Sequence, residues 1–488
     1  MIAGSQTQKT VAIIGGGVAG ALTAYQLIAQ SKTHHITIRV IVVDPRPELG
    51  LGLAFSTPSM RHLLNVPTGK ISALPHDPNH FLYWIHANYD ADAKPFSFMP
   101  RAIFGRYVRS IYAQVADSVE HIQATVTDLH RATTGLRLTL GNGNTLHTDY
   151  AVLATGNFDP PMLPNIEPAA IATGLYRNNA WLADTFDDLA PDAPVTLIGT
   201  GLTAVDVLLR LRELGHRGTV TAVSRHGLFS SRHVETAPAP APVIDSNTPR
   251  TALAYLRAIR AAMHSGMPWR AAIDSIRLTT NDLWLALPLK EQRRFRRHLL
   301  HRWYIVRHRM APAIANFVDA ELTAGTLVVR HGAFAGITIA DGLANVSIAT
   351  HNSTESFAAT RVINCTGPST SYRNVDSPLL RSLFAQGIAT PGPLGGAFNT
   401  TTTGAMIDAA GHASQILFNL GPGRLGTVIE TIAIPEIRQQ AYEIASHIAA
   451  RIADTSQQST DLHRQARIVL LKGTALAVPD NVVEVGRL

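Results

Sequence analysis

Residues 11–27 read VAIIGGGVAGALTAYQL, and residues 195–211 read VTLIGTGLTAVDVLLRL. Each joins a short apolar run, suited to a buried strand, to a glycine-rich turn and a helix-forming segment. In the first, Gly15, Gly17 and Gly20 hold the G-x-G-x-x-G positions. The first glycine permits the tight turn, the second lets backbone approach a pyrophosphate, and the third lets helix and strand pack closely. The helix N-terminus then offers unpaired N–H groups and the positive end of its dipole to phosphate. In the second stretch the positions are Gly199, Gly201 and Ala204. Alanine is tolerated at the third place, where only close packing is required. The chain is therefore expected to hold two dinucleotides.

The residues beyond each turn distinguish the two. The first helix leads to a strand over 36–43 ending at Asp44, where a carboxylate can accept hydrogen bonds from a ribose. That suits a ribose without a 2′-phosphate, as in FAD. The second leads to a strand over 219–224 followed by Arg225, whose guanidinium would favour a 2′-phosphate and hence NADPH. A surface arginine after a strand is the competing reading. Two different nucleotides on one chain imply hydride transfer between them.

Outward from these motifs the halves echo each other. Segments 121–129, 134–143 and 144–156 predict a β-meander, and 326–351 predicts another. Each half closes on an apolar strand ending in Thr-Gly, at Thr155-Gly156 and at Thr366-Gly367. The expected class is α/β, with two Rossmann-like dinucleotide-binding domains (the two-dinucleotide-binding flavoprotein fold), each carrying a β-meander insertion. The boundaries read 1–185 for the first part of the FAD domain, 186–361 for the NADPH domain with a helical insertion at about 230–320, and 362–488 for the second part of the FAD domain. The irregular stretch 45–100 is long enough to act as a functional cover.

Composition sets limits. The chain has 488 residues, 46% hydrophobic and 16% charged, enough for two or three cores. No run of about 18 apolar residues predicts a membrane span, and MIAGSQTQKT lacks the pattern of a secretory signal. The single cysteine, Cys365, precludes an internal disulfide and a redox-active pair, and fits a reducing, cytoplasmic setting. The 21 histidines show no metal-ligand spacing, so no metal is expected. Much of the net charge of +7 lies in QRRFRRHLLHRWYIVRHR, 292–309. Phe295, Leu299, Trp303, Val306 and Met310 recur at helical spacing, which predicts one amphipathic helix. Its basic face reads as solvated, or as a wall beside an anionic ligand. No base-reading motif accompanies it, so nucleic acid is not an expected partner.

The sequence resembles the flavin-containing and N-hydroxylating (class B) flavoprotein monooxygenases and their FAD/NAD(P)-binding relatives. The resemblance spans nearly the whole chain. It rests on the two glycine motifs and YAVLATGNFDPP (150–161), on HLLNVPTGKISALPHD (62–77) and LFNLGPGRLGTVIET (417–431), and on RHRMAP (307–312). It implies that NADPH reduces FAD, that O2 forms a C4a-(hydro)peroxyflavin, and that this hydroxylates a small nucleophile such as an amine or amino acid. Asn65 takes the place of the amide that holds the peroxide, although Asn before Val66-Pro67 also reads as a turn former. Thr155, Gly156, Gly367, Gly421 and Pro422 take cofactor-contact places. Arg101 is a candidate anchor for a substrate carboxylate, or a surface pair. The fingerprint F-x-G-x-x-x-H-x-x-x-W/P is absent: AIATGLYRNNAWL (170–182) stands in its place, which speaks against ketone oxidation. An NAD(P)H oxidoreductase or oxidase without oxygen transfer and a redox sensor with little turnover remain the alternatives. Substrate identity and oligomeric state are open.

Overall fold

The computed structural model describes residues 8–351 and 353–473; the start of MIAGSQTQKT lies outside them. Two sheets organise the chain. The first has six strands in the order Ala405–Ile407, Ala413–Asn419, Tyr150–Leu153, Lys9–Ile14, Ile38–Val43, Val119–Ile122. All neighbours run parallel except the outer Ala405–Ile407 strand. The second is all parallel, in the order Leu327–His331, Val220–Ser224, Val195–Ile198, Arg361–Asn364, Tyr176–Arg177. In both, the glycine-turn strand lies between the strand that follows its helix and the strand that follows its meander. The central strands are buried end to end, which is why they read as unbroken apolar runs.

The meanders form where expected, as Val126–Arg131, Leu136–Leu140, Thr145–Thr148 and as Ala333–Ala340, Leu343–Ala349, Thr354–Ala359. The Val18–Thr33 helix is buried over its first three turns and packs against the last helix, Ile434–Gly473. That helix places Ile437, Ala441, Ile444, Ile448 and Ile452 on one buried stripe.

Two expectations need correction. The Arg361–Asn364 and Tyr176–Arg177 strands both lie in the second sheet, so the second domain begins before 176 and ends after 364, rather than at 186 and 361. And the basic stretch is not one helix. Leu289–His298 and Leu300–Arg307 are separate, meeting at Leu299 (φ −119°). The break frees the second segment to lie along a cavity while Phe295 and Trp303 stay in contact, ring centroids 6.3 Å apart.

Candidate dinucleotide sites and the contact between them

The two glycine turns are built alike. Gly15 N–H donates to Val43 O at 2.9 Å, and Gly199 N–H to Val223 O at 2.8 Å. Ala154 N–H donates to Ile14 O at 2.8 Å, and Cys365 N–H to Ile198 O at 2.9 Å. Gly15 and Gly199 have φ of +107° and +122°. A Cβ on Gly15 would strike Ala154 O, and one on Gly199 would come within 2.6 Å of Cys365 O. So the strand ending in Thr-Gly supports the glycine turn in each half, and the echo in sequence is a repeated geometry. Gly156, Gly201, Gly367 and Gly421 face open space, with nothing within 4 Å of an added Cβ. A cradle of exposed backbone at a helix N-terminus is what a dinucleotide pyrophosphate requires, and the residues fit FAD at the first turn and a nicotinamide dinucleotide at the second.

At the first turn, Asp44 is the organising group. Its carboxylate accepts from Gly16 N–H at 2.6 Å, from Arg46 N–H and Nε at 2.9 Å, and from Arg46 Nη2 at 2.7 Å. Burial raises its pKa, but Arg46 and the two amides outweigh that and hold it below the ordinary carboxylate value. Sequence reasoning missed Arg46; the signal for it was DPR directly after the strand. Gly421 is locked from the last helix: its N–H donates to Gln440 Oε1 at 2.8 Å, and Gly421 O accepts from Thr431 Oγ1 at 2.9 Å. Pro422 is buried in the Gly421–Gly426 turn that follows the Ala413–Asn419 strand.

The second turn opens onto a cavity of about 620 Å³ that brings together Gly199, Gly201, Arg225 and Gly367. By the Val43/Val223 register, Ser224 stands where Asp44 does, and its Oγ accepts from Thr200 Oγ1 at 3.0 Å and from Gly227 N–H at 2.9 Å. Among the described residues no carboxylate lines this cavity, and Arg225 is exposed at its edge. Ala204 is buried and packs without conflict. His301, Tyr304, Ile305 and His308 form the opposite wall. The basic stretch thus does flank the cavity, but its arginines turn elsewhere: Arg307 to Glu430 at 3.2 Å and Arg309 to Asp274 at 2.7 Å. Burial pushes His308 down to about 4, helped by Arg307 and Arg277, so a neutral imidazole faces the cavity at neutral pH.

The two halves meet at Asn65 and Arg101. Leu64 and Thr68 donate backbone bonds to Met99 and Ser97 on either side of a bend at Asn65-Val66, which fixes the path of the 63–68 segment. His233 Nε2–H donates to Asn65 O at 2.9 Å, and burial lowers the His233 pKa to about 4. The Asn65 side-chain amide is half-buried and makes no hydrogen bond among the described residues. Arg101 stands differently. Its Nη1 lies 2.7 Å from Asp206 Oδ2, its Nε donates to Leu63 O at 3.2 Å, and both side chains are largely buried, at 16% and 8% exposed. The guanidinium expected to anchor a substrate carboxylate is committed to Asp206, and it ties the first domain to the second domain's glycine helix. His62 Nε2–H adds a bond to Asp206 O at 3.0 Å.

Cys365 is buried, and burial raises its thiol pKa far above the ordinary value, which leaves it unreactive. Among the described residues no helix is long and apolar enough to cross a membrane, and no group of three or more His, Cys, Asp or Glu could hold a metal ion.

The class these features define is a flavoprotein fold that binds two dinucleotides. Residues 12–158 match a family model described as FAD-NAD(P)-binding. Among solved structures, the chain is similar to an ornithine hydroxylase from Pseudomonas aeruginosa in its reduced form (14% identity, covering 91% of this chain and 99% of that one, TM-score 0.62). It is equally similar to an ornithine N-hydroxylase from Kutzneria sp. 744 (14%, 91% and 100%, TM-score 0.62). An L-lysine 6-monooxygenase from Pseudomonas syringae gives 15% identity over 91% and 99%, with a TM-score of 0.59. No curated protein matches in sequence. The chain has an FAD-NAD(P)-binding domain and shares the fold of these hydroxylases and this monooxygenase.

Proposed function

We propose that the chain is an FAD-dependent, NADPH-reduced oxidoreductase that works as a monooxygenase, transferring oxygen from O2 to a small nucleophile such as an amine or amino acid. The observation that carries the reading is the unequal pair of turns: one is closed by the Asp44 carboxylate, and the other has Ser224 in that place and Arg225 beside it. Bound at the first turn, FAD would supply hydride acceptance and oxygen activation. The chain's own residues would do the rest. The Gly15–Gly20 and Gly199–Gly201 backbones would hold the pyrophosphates, and Arg225 would take a 2′-phosphate. Asn65 would offer a neutral amide, able to donate and accept without being consumed, near where the domains touch. The ornithine and lysine in the names of the structural neighbours support an amine substrate. A single inert cysteine disfavours thiol–disulfide chemistry.

Arg225→Ala is expected to raise the NADPH KM by about tenfold or more, the worth of one charge-assisted hydrogen bond, with little change for NADH. Steady-state rates with both nucleotides check this, and equal shifts would remove the 2′-phosphate assignment. Asn65→Asp is expected to leave anaerobic bleaching of the FAD spectrum by NADPH intact. Hydroxylated product per NADPH should fall by about 100-fold, the scale of one preorganised donor, with peroxide rising in its place. An unchanged product yield across a panel of amines returns Asn65 to a turn-forming role. A wild-type protein that bleaches with NADPH but yields only peroxide on that panel would favour the oxidase alternative.

A further inference from the structure

The helical insertion encloses a second large space that neither glycine turn touches. Between the Ala252–His264 and Leu300–Arg307 helices lies a cavity of about 720 Å³, a size typical of ligand sites. The first helix contributes Leu256, Ile259, Arg260 and Met263, and the second, with its N-terminal flank, contributes Leu299, Arg302, Trp303 and Val306. Both sets fall at i, i+3, i+4, i+7 spacing, so each helix turns one continuous face inward. Each of these sets is three apolar side chains and one arginine, and Ala252 and Tyr255 extend the apolar lining at the start of the first helix.

Apart from Ser231 and Thr280, the rest of the lining is apolar and aromatic, including Trp269 and Trp284. Among the described residues Arg260 and Arg302 are its only charged members; both are exposed, and neither has an ion pair or hydrogen bond there. This contrasts with Arg307 and Arg309 on the same stretch, which are paired with Glu430 and Asp274. No glycine turn faces the space, so it does not suit a nucleotide. An apolar interior with two unpaired guanidinium groups suits a ligand with a hydrocarbon chain and an anionic head. Burying the chain removes apolar surface from water, and a carboxylate can accept a forked hydrogen bond from arginine.

We propose that this cavity is a binding site for a fatty carboxylate, with its chain among Trp269, Trp284 and Trp303 and its head at the Arg260/Arg302 rim. The site stands apart from the dinucleotide sites and shares no lining residue with the second one. The proposal therefore does not depend on the redox reading, and it can fail or hold without it. Ile429, the one lining residue outside the insertion, comes shortly after the Gly421–Gly426 turn, so a bound chain would touch the segment leaving that turn.

The test uses tryptophan fluorescence of the purified protein, since three of its five tryptophans line the cavity. A nitroxide-labelled fatty acid should quench saturably, and dodecanoate should displace it about tenfold better than dodecanol. The double variant Arg260→Gln/Arg302→Gln should lose that preference while still binding dodecanol. Ile259→Trp, which fills a partly exposed position, should abolish binding of both while NADPH binding persists. Non-saturable quenching would overturn the proposal. So would equal displacement by acid and alcohol in the wild type, or undiminished binding in Ile259→Trp.

Discussion

Gly20→Ala should yield a protein that no longer retains FAD and that is less stable by about 3 kcal/mol, the upper end of overpacking costs. The added methyl would fall on Gly15 O and within 3.4 Å of Ile13 Cγ2. Neither can retreat, because Gly15 is fixed to Val43 O and backed by Ala154. The turn would have to open, and its amides would lose the convergence that holds a pyrophosphate. The matched control is Ala204→Gly in the other half, where the structure already accommodates the methyl. That change should cost about 1 kcal/mol of helix propensity and leave FAD retention untouched. Flavin content after gel filtration and urea midpoints measure both. Full flavin loading in Gly20→Ala would show that the first turn is not the FAD cradle.

The second large effect is expected at the tie between the domains. Asp206→Ala leaves the Arg101 guanidinium, only 16% exposed, without its carboxylate. Removing one member of a buried pair costs about 3–5 kcal/mol, and the remaining bond to Leu63 O recovers little of this. The double change Arg101→Met/Asp206→Leu should restore most of the stability, because the uncompensated charge goes with the pair. Hydrogen exchange should show faster opening at 62–64 and 203–209 in the single variant, with recovery in the double. A single variant as stable as the wild type would mean that the domains are joined elsewhere.

Constraints that act locally leave a mark in the sequence, and those that act across the fold do not. The glycine turns were legible because their sterics admit only small residues at Gly15, Gly20 and Gly199. The meanders were legible because strand alternation and tight turns are local. The partner of Arg101 was not legible because it lies 105 residues away, and no periodicity records that. The domain boundaries slipped for a similar reason: 361–364 reads as a buried strand, but nothing in it says which sheet it joins. The division of the basic stretch at Leu299 was also hidden, since helical spacing continues across the break. Gln440 and Thr431, which lock the Gly421 turn, are ordinary polar residues whose role exists only in three dimensions.

The helical insertion has the outline of a removable module, yet it is stitched to the C-terminal half of the first domain. Asn281 exchanges hydrogen bonds with the Glu430 backbone at 2.7 and 3.0 Å, and Trp284 Nε1–H reaches Thr427 O at 3.0 Å. Glu430 itself is 4% exposed and is matched by Trp303 and Arg307 from the insertion. Excising 230–320 would remove the hydrogen-bond and ion-pair partners of Glu430 and Thr427 together, and would uncover the segment that carries them. A trimmed core would therefore be a poor surrogate for the whole protein.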